Sequence, residues 1–298
     1  MNTTILLVGH GSRVAAGNVE IEKFTKIWQA RNPTWKIELC FIEFAPITLD
    51  MGLANATHGA RRVIVVPLIL NAAGHVKMEI PHHIEKARKQ YPNVEFIYAR
   101  HLGANDKLLA ILKRNLRNAM MALDMPDPKT TGVILLGRGS SDRFANGENT
   151  KLSRYLFEES QHELVDPAFT GISFPRLETA AQRQIKLGMM QIAVLPYYLF
   201  SGTLMERIKK QVARLESQYP QISFSLASYF GFEDEIFELL EERVAQAKGD
   251  GEGERVMMEC DGCAYRKEAE AEHQHHHHHD HGDEHDHSHE HSHEEAVT

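Results

Sequence analysis

Short apolar runs of strand length alternate along the chain with stretches in which apolar residues recur every three or four positions. In the first half we predict strands at Thr4–Val8, Ile37–Phe41, Arg62–Leu68 and Glu95–Tyr98. In the second half we predict them at Val133–Leu136, Phe169–Ser173, Ile192–Pro196 and Ile222–Leu226. The intervening stretches have helical spacing, as in residues 105–123. Strands that alternate with helices favour an α/β fold, with parallel sheets flanked by helices.

The two halves of the chain repeat one another at an offset of about 128 residues. Gly9-His10-Gly11-Ser12 recurs as Gly137-Arg138-Gly139-Ser140, and the apolar segment at residues 63–74 recurs at 192–202. A single repeat of this length indicates two copies of one domain. We therefore predict tandem domains over residues 1–125 and 126–248, followed by a separate segment at 249–298.

Three residues with metal-binding side chains follow the predicted strands of the first half. His10 follows the first strand, Glu43 the second and His75 the third. Ligands bind beyond the carboxyl ends of parallel strands, so these side chains are expected at one edge of the sheet. Two imidazoles and a carboxylate suit a divalent transition metal. The second half has Arg138 and Thr203 at the positions of His10 and His75, which predicts one active site per chain.

The last fifty residues differ in composition from the rest. They contain Cys260-Asp-Gly-Cys263 and then 12 of the 19 histidines, interleaved with Asp and Glu. Such a tract cannot bury a core and is predicted to be disordered without metal. The cysteine pair suits a redox couple, half of a zinc site or part of an iron–sulfur cluster. Because two thiolates cannot complete a four-thiolate site, a cluster would need other ligands or a second chain.

Composition and charge exclude several classes of protein. The net charge of −8 is concentrated at residues 268–298, which hold ten acidic side chains and no Lys or Arg. The rest is nearly neutral and has no basic run, so no nucleic-acid partner is expected. The longest apolar run has only strand length, which predicts no membrane span, and the N-terminus has no signal-peptide pattern. With three cysteines and no disulfide framework, we expect a cytoplasmic protein.

These motifs together resemble the sirohydrochlorin chelatases. The resemblance rests on the duplicated domain, the Gly-His-Gly-Ser-Arg opening, and the Leu-Asn-Ala-Ala-Gly-His loop with Glu79-Ile-Pro81. It covers about residues 1–248. Met258-Glu-Cys260-Asp-Gly-Cys263 and the His-rich tract extend it toward the long-form cobalt-inserting members known as CbiX.

The resemblance implies a class II chelatase that inserts a divalent metal into the tetrapyrrole sirohydrochlorin without ATP. Cobalt insertion for cobalamin biosynthesis is expected, with Fe²⁺ and Ni²⁺ as alternative metals. His10 and His75 would bind the metal, and they or Glu43 would accept protons. Candidate partners of the substrate carboxylates are Arg13, Lys77, Arg138 and Arg207. Cys260 and Cys263 would hold an auxiliary metal or an iron–sulfur cluster, in a monomer or a cluster-bridged homodimer.

Two other functions fit part of the pattern. Iron insertion into sirohydrochlorin for siroheme biosynthesis would use the same fold and ligands, and imidazole suits both metals. A metal-storage protein or metallochaperone would explain the His-rich tract but not the retained His10 and His75. An enzyme acting on protoporphyrin is disfavoured, because we expect no apolar lip beside the site.

Overall fold

The computed structural model describes residues 2–249, which contain two four-stranded parallel sheets. The first sheet has the order β2-β1-β3-β4 and consists of β1 (Thr3–Gly9), β2 (Lys36–Phe41), β3 (Arg62–Pro67) and β4 (Glu95–Tyr98). The second has the equivalent order β6-β5-β7-β8 and consists of β5 (Thr131–Gly137), β6 (Val165–Phe169), β7 (Gln191–Pro196) and β8 (Ser223–Leu226). The predicted α/β class and the repeat are confirmed.

Each half contributes four α-helices. They are α1 (Ala15–Arg31), α2 (Leu49–Thr57), α3 (Ile80–Gln90), α4 (Asp106–Met121), α5 (Arg143–Glu158), α6 (Leu177–Lys186), α7 (Thr203–Gln218) and α8 (Asp234–Lys248). Helices α4 and α5 begin with capped turns, because Asn105 and Asp142 accept hydrogen bonds from first-turn amides. A π-helical turn over His75–Glu79 precedes α3.

The two halves exchange their last helices. Helix α4 packs on β7 and β8 of the second sheet, and α8 packs on β3 of the first. One cluster of buried apolar side chains includes Ile64 and Leu195, one from each sheet. Arg243 of α8 is buried and donates hydrogen bonds to the carbonyl oxygens of His101 and Leu102 in the first half. The described residues therefore belong to one compact unit with a shared core.

The division at residues 125 and 126 stays a prediction about the repeat, since the two halves share that core. The segment 249–298 lies almost wholly outside the described residues, as do Cys260 and Cys263. Within residues 2–249, no helix combines the length and the apolar character needed to cross a bilayer.

One predicted strand is misplaced by four residues. We predicted β6 at Phe169–Ser173, whereas it spans Val165–Phe169. The strand contains Pro167, which sequence patterns penalise, but β6 is an edge strand and an edge position tolerates a residue without an amide hydrogen. Ile172, an apolar residue of the predicted strand, is exposed on the loop that follows β6, as is the neighbouring Phe174.

Candidate metal centre

The loops after β1 and β2 contact each other through their backbones. The amide of Glu43 donates to the carbonyl oxygen of His10 at 3.1 Å. Gly11 has a φ of +87°, and a Cβ there would lie 1.7 Å from the carbonyl oxygen of Glu43. Only glycine fits both the conformation and the close approach. The contact sets the Glu43 carboxylate beside His10, with Oε1 3.6 Å from Nδ1.

His75 begins the π-helical turn that follows β3, and Glu79 ends it. The sequence predicts a loop that ends at His75, and the structure corrects this, because His75 is the first residue of a helical turn. Nδ1 of His75 donates to Oε2 of Glu79 at 2.5 Å. That hydrogen bond fixes the tautomer, so the lone pair of His75 is on Nε2. The turn is held from below by the Tyr98 hydroxyl, which donates to the carbonyl oxygen of Val76 at 3.0 Å. Short π-helical segments often occur at functional sites.

The structure brings His10, Glu43 and His75 together at the carboxyl edge of the first sheet. One potential ligand atom from each residue lies within 4.8 Å of the others. The two imidazole rings are 4.8 Å apart and nearly perpendicular. About a third of each of the three side chains is exposed. Within residues 2–249, no other group of three His, Cys, Asp or Glu residues converges in this way.

Arg138 reaches this cluster from the second half. Nδ1 of His10 donates to the carbonyl oxygen of Gly11, and Nε2 accepts a hydrogen bond from Arg138 Nη1 at 3.1 Å. Burial lowers the pKa of His10, and the charge of Arg138 and the nearby His75 act in the same direction. The hydrogen bond to Gly11 and the Glu43 carboxylate oppose the shift. The ring is therefore held neutral, which is the state that binds metals.

The other three basic residues singled out in the sequence lie in different surroundings. The Arg13 guanidinium lies 4.7 Å from the centre of the Phe44 ring. Lys77 forms an ion pair with Asp142 at 2.5 Å, so the charge of Lys77 is balanced within the protein. Arg207 is exposed on α7, one turn from the start of the helix, and its charge opposes the rise that burial causes in the pKa of the partly buried Tyr198 hydroxyl.

Exposed apolar side chains lie on the loops that follow β2 and β6 and in the first turn of α5, which corrects the expectation that no apolar lip is present. This apolar rim consists of Phe44, Phe144, Ile172 and Phe174, with exposures of 46%, 64%, 60% and 73%. Phe44 directly follows Glu43, and the ring of Phe144 lies 5.2 Å from Lys77 Nζ. The one sequence feature that links two of these side chains is the repeat, in which Phe44 and Ile172 are equivalent. In the structure both residues have a φ of 58°.

Comparison with known proteins shows the family to which the chain belongs. The CbiX family profile matches residues 4–119 and again residues 132–247. The chain belongs to the CbiX family. It is 38% identical to the sirohydrochlorin cobaltochelatase of Priestia megaterium over 266 residues, covering 88% of this chain and 84% of the relative. It is 30% identical to the sirohydrochlorin ferrochelatase of the same organism over 241 residues, covering 80% and 88% of the two chains.

A solved structure of the same architecture is SirB from Bacillus subtilis with Fe³⁺. It superposes with a TM-score of 0.73 at 28% identity, covering 86% of this chain and all of the other. The CbiX relatives thus include enzymes named for cobalt and for iron.

Proposed function

We propose that this CbiX-family protein is a chelatase that inserts a divalent metal ion, cobalt in preference to iron, into sirohydrochlorin without ATP. The observation that carries the proposal is the convergence of His10, Glu43 and His75 within 4.8 Å at one edge of a parallel sheet. The similarity to sirohydrochlorin chelatases over most of the chain supports the choice of substrate.

His10 and His75 would bind the incoming metal through neutral imidazole nitrogens. Glu79 accepts the Nδ1 hydrogen of His75 and so leaves Nε2 free for the metal. Arg138 donates to Nε2 of His10, and a metal that binds this nitrogen would displace the guanidinium. Two imidazoles and one carboxylate leave coordination positions open, which an insertion reaction needs because the pyrrole nitrogens must replace water.

Insertion also removes two protons from the pyrrole nitrogens. The Glu43 carboxylate lies beside His10 and is partly exposed, so it can accept a proton from a macrocycle held above the metal. An imidazole released from the metal can accept the other. The charge of the metal favours loss of both protons, because it stabilises the deprotonated nitrogens that approach it.

The side chains around the centre are complementary to the substrate. Sirohydrochlorin has an apolar conjugated face and a periphery of carboxylates. The apolar rim would contact the face, and Arg13, Arg138 and Arg207 would pair with carboxylates. Lys77 can join them only by exchanging Asp142 for a substrate carboxylate, because the two are ion-paired.

Cobalt is favoured over iron by two observations. The relative at 38% identity is named a cobaltochelatase, and the His-rich tract from His273 to His293 suits cobalt and nickel. We propose that this tract holds metal near the centre, so that insertion would serve cobalamin biosynthesis. The iron–sulfur or zinc site at Cys260 and Cys263 stays a prediction from the sequence.

An insertion assay tests the proposal. The full-length chain is mixed with sirohydrochlorin and with Co²⁺, Fe²⁺ or Ni²⁺ separately under anaerobic conditions, and the absorbance of the macrocycle is followed. Fastest turnover with Co²⁺ supports the proposal, and fastest turnover with Fe²⁺ replaces it with siroheme biosynthesis. No acceleration over the uncatalysed reaction with any metal refutes the chelatase function and leaves metal storage as the explanation of the His-rich tract.

A further inference from the structure

The side-chain amide of Asn18, near the start of α1, holds the loop that contains His10. Its Oδ1 accepts a hydrogen bond from the amide of Ser12 at 2.8 Å, and its Nδ2 donates to the carbonyl oxygen of Ser12 at 2.9 Å. Nδ2 also lies 3.4 Å from the carbonyl oxygen of Phe44, the residue after Glu43. One side chain therefore ties the loop after β1 to α1 and to the loop after β2.

The hydrogen bond from Ser12 to Asn18 reaches His10 through a single peptide group. The carbonyl oxygen of Gly11 accepts from Nδ1 of His10 at 3.1 Å, and the amide of the same peptide group, that of Ser12, donates to Asn18. A peptide group is planar, so whatever fixes its N–H also fixes its C=O. Asn18 therefore orients the carbonyl group that accepts the Nδ1 hydrogen of His10.

The backbone at Gly11 does not hold this peptide group by itself. Gly11 has a φ of +87°, and glycine adopts positive and negative φ about equally well. The amide of Glu43 binds the carbonyl oxygen of His10, which belongs to the preceding peptide group. Oε1 of Glu43 lies 3.6 Å from Nδ1 of His10, which is too far for a hydrogen bond. The hydrogen bonds to Asn18 therefore supply a restraint that glycine does not.

The second half has the same pair of hydrogen bonds beside a residue that is not a metal ligand. Oδ1 of Asn146 accepts from the amide of Ser140 at 2.9 Å, and Nδ2 donates to the carbonyl oxygen of Ser140 at 2.8 Å. Gly139 has a φ of +84°, close to that of Gly11. The equivalent of His10 is Arg138, whose guanidinium is always charged and has no tautomer to set. Asn146 is therefore a matched control for Asn18.

We propose that Asn18 is a positioning residue of the metal centre, which acts through the Gly11–Ser12 peptide group to keep His10 in the tautomer that presents Nε2 to the metal. The inference rests on the proposed function, since it takes the metal as a substrate that His10 binds. Asn18 is not one of the three residues whose potential ligand atoms converge. Partners of this kind, beyond the ligands themselves, orient metal-binding histidines in many proteins.

The first test is the tautomer of His10, measured from the ¹⁵N shifts of its ring in the metal-free full-length chain at a pH where the imidazole is neutral. The His10 signal is identified by its absence from His10→Gln. Every chain compared has Arg138→Ala, because Arg138 donates to Nε2 and favours the same tautomer. With Arg138→Ala alone, Nδ1 should have the hydrogen. Adding Asn18→Ala should give a mixture of tautomers, and adding Asn146→Ala should not.

Two results of this measurement would overturn the proposal. One is a hydrogen on Nε2 with Arg138→Ala alone, since Gly11 would then not set the tautomer. The other is a tautomer that Asn18→Ala leaves unchanged, or that both asparagine variants change equally. Asn18→Asp serves if the alanine variant does not fold, because a carboxylate keeps the acceptor for the Ser12 amide. It should retain the Nδ1 hydrogen, and its failure to do so would also count against the proposal.

The second test is insertion kinetics with Arg138 intact. Asn18→Ala should raise the KM for Co²⁺ about threefold, since a neutral hydrogen bond that supports a ligand is lost. The KM for sirohydrochlorin should stay unchanged. Asn146→Ala should lower the melting temperature as much as Asn18→Ala does and leave the KM for Co²⁺ unchanged. An equal rise of that KM in both variants would make the effect one of stability and refute the positioning role.

Failure of this inference can be told apart from failure of the proposed function, because the tautomer is measured without metal or sirohydrochlorin. A chain that inserts metal, but whose His10 tautomer does not depend on Asn18, refutes the positioning role alone. A chain whose His10 tautomer depends on Asn18, but which inserts no metal, refutes the chelatase function and leaves the link between Asn18 and His10 in place.

Discussion

The hydrogen bond from His75 to Glu79 gives a quantitative prediction. The Glu79 carboxylate accepts Nδ1–H at 2.5 Å, and Glu79 is not one of the three residues whose potential ligand atoms converge. A hydrogen bond to a charged group contributes about 1.5–3 kcal/mol. Because His75 and Glu79 are 34% and 40% exposed, solvent screening reduces this to about 1 kcal/mol. That energy corresponds to about a fivefold change in metal affinity, just below the roughly 10–100-fold typical of such supporting residues.

The assay is the steady-state dependence of insertion on Co²⁺ at saturating sirohydrochlorin. In Glu79→Ala we expect the KM for Co²⁺ to rise about fivefold, with kcat nearly unchanged, because Glu79 orients a ligand without contacting the reacting atoms. Glu79→Gln should recover part of the loss, since its amide oxygen can still accept the hydrogen bond.

Glu95→Gln is the matched control for this substitution. It removes a carboxylate from the same half that pairs with Arg62 at 2.7 Å, but it lies at the amino end of β4. Its kinetics should be those of the unaltered chain. An unchanged KM in Glu79→Ala would refute the positioning role, and a large fall in kcat alone would instead make Glu79 a proton acceptor.

Three further predictions concern the equivalent residues of the two halves, the pKa of His10 and the His-rich tract. His75→Ala should abolish insertion, whereas Thr203→Ala at the equivalent position should leave most of it; equal losses would contradict a single metal centre. In metal-free protein, NMR should show His10 titrating below the ordinary value of 6.5, and Arg138→Gln should move the midpoint upward because a repelling charge is gone. A midpoint unmoved by that variant would show that Arg138 does not act on the ring. A chain ended after Gly249 should insert Co²⁺ normally in excess metal and more slowly at limiting metal, since the His-rich tract raises the local metal concentration; a loss that persists in excess metal would place the tract in the catalytic step.

The sequence predicted the neighbourhood of the metal centre because a parallel sheet has simple geometry. Strand ends meet at one edge, so residues directly after β1, β2 and β3 had to lie close together. The same argument could not place Glu79, because helical periodicity does not distinguish a π-helical turn from a loop before α3. The tautomer of His75 could therefore be assigned only from the hydrogen bond to Glu79 in the structure.

Sequence patterns do not predict the contacts between the two halves. The apolar stripes of α4 and α8 predict that each helix covers a sheet but do not say which one, and each covers the sheet of the other half. The hydrogen bond from Arg138 to His10 is a second contact between the halves that sequence patterns do not predict. The apolar rim was also missed: Ile172 was placed in a predicted strand, whereas Phe44 and Ile172 are exposed and both have a positive φ.

Hydrogen bonds between the halves explain how a half without metal ligands can still shape the metal centre. Asn71, in the loop that leads to His75, donates to the carbonyl oxygen of Ala145 and accepts from the Tyr197 hydroxyl. Glu20 accepts hydrogen bonds from the amide of Ser201 and the Tyr229 hydroxyl across the same boundary. Identical halves would place the same imidazoles on both edges, where two metal ions would repel each other and compete for one macrocycle. Duplication within one chain lets one edge exchange its ligands for guanidinium groups while the shared core keeps both edges in register.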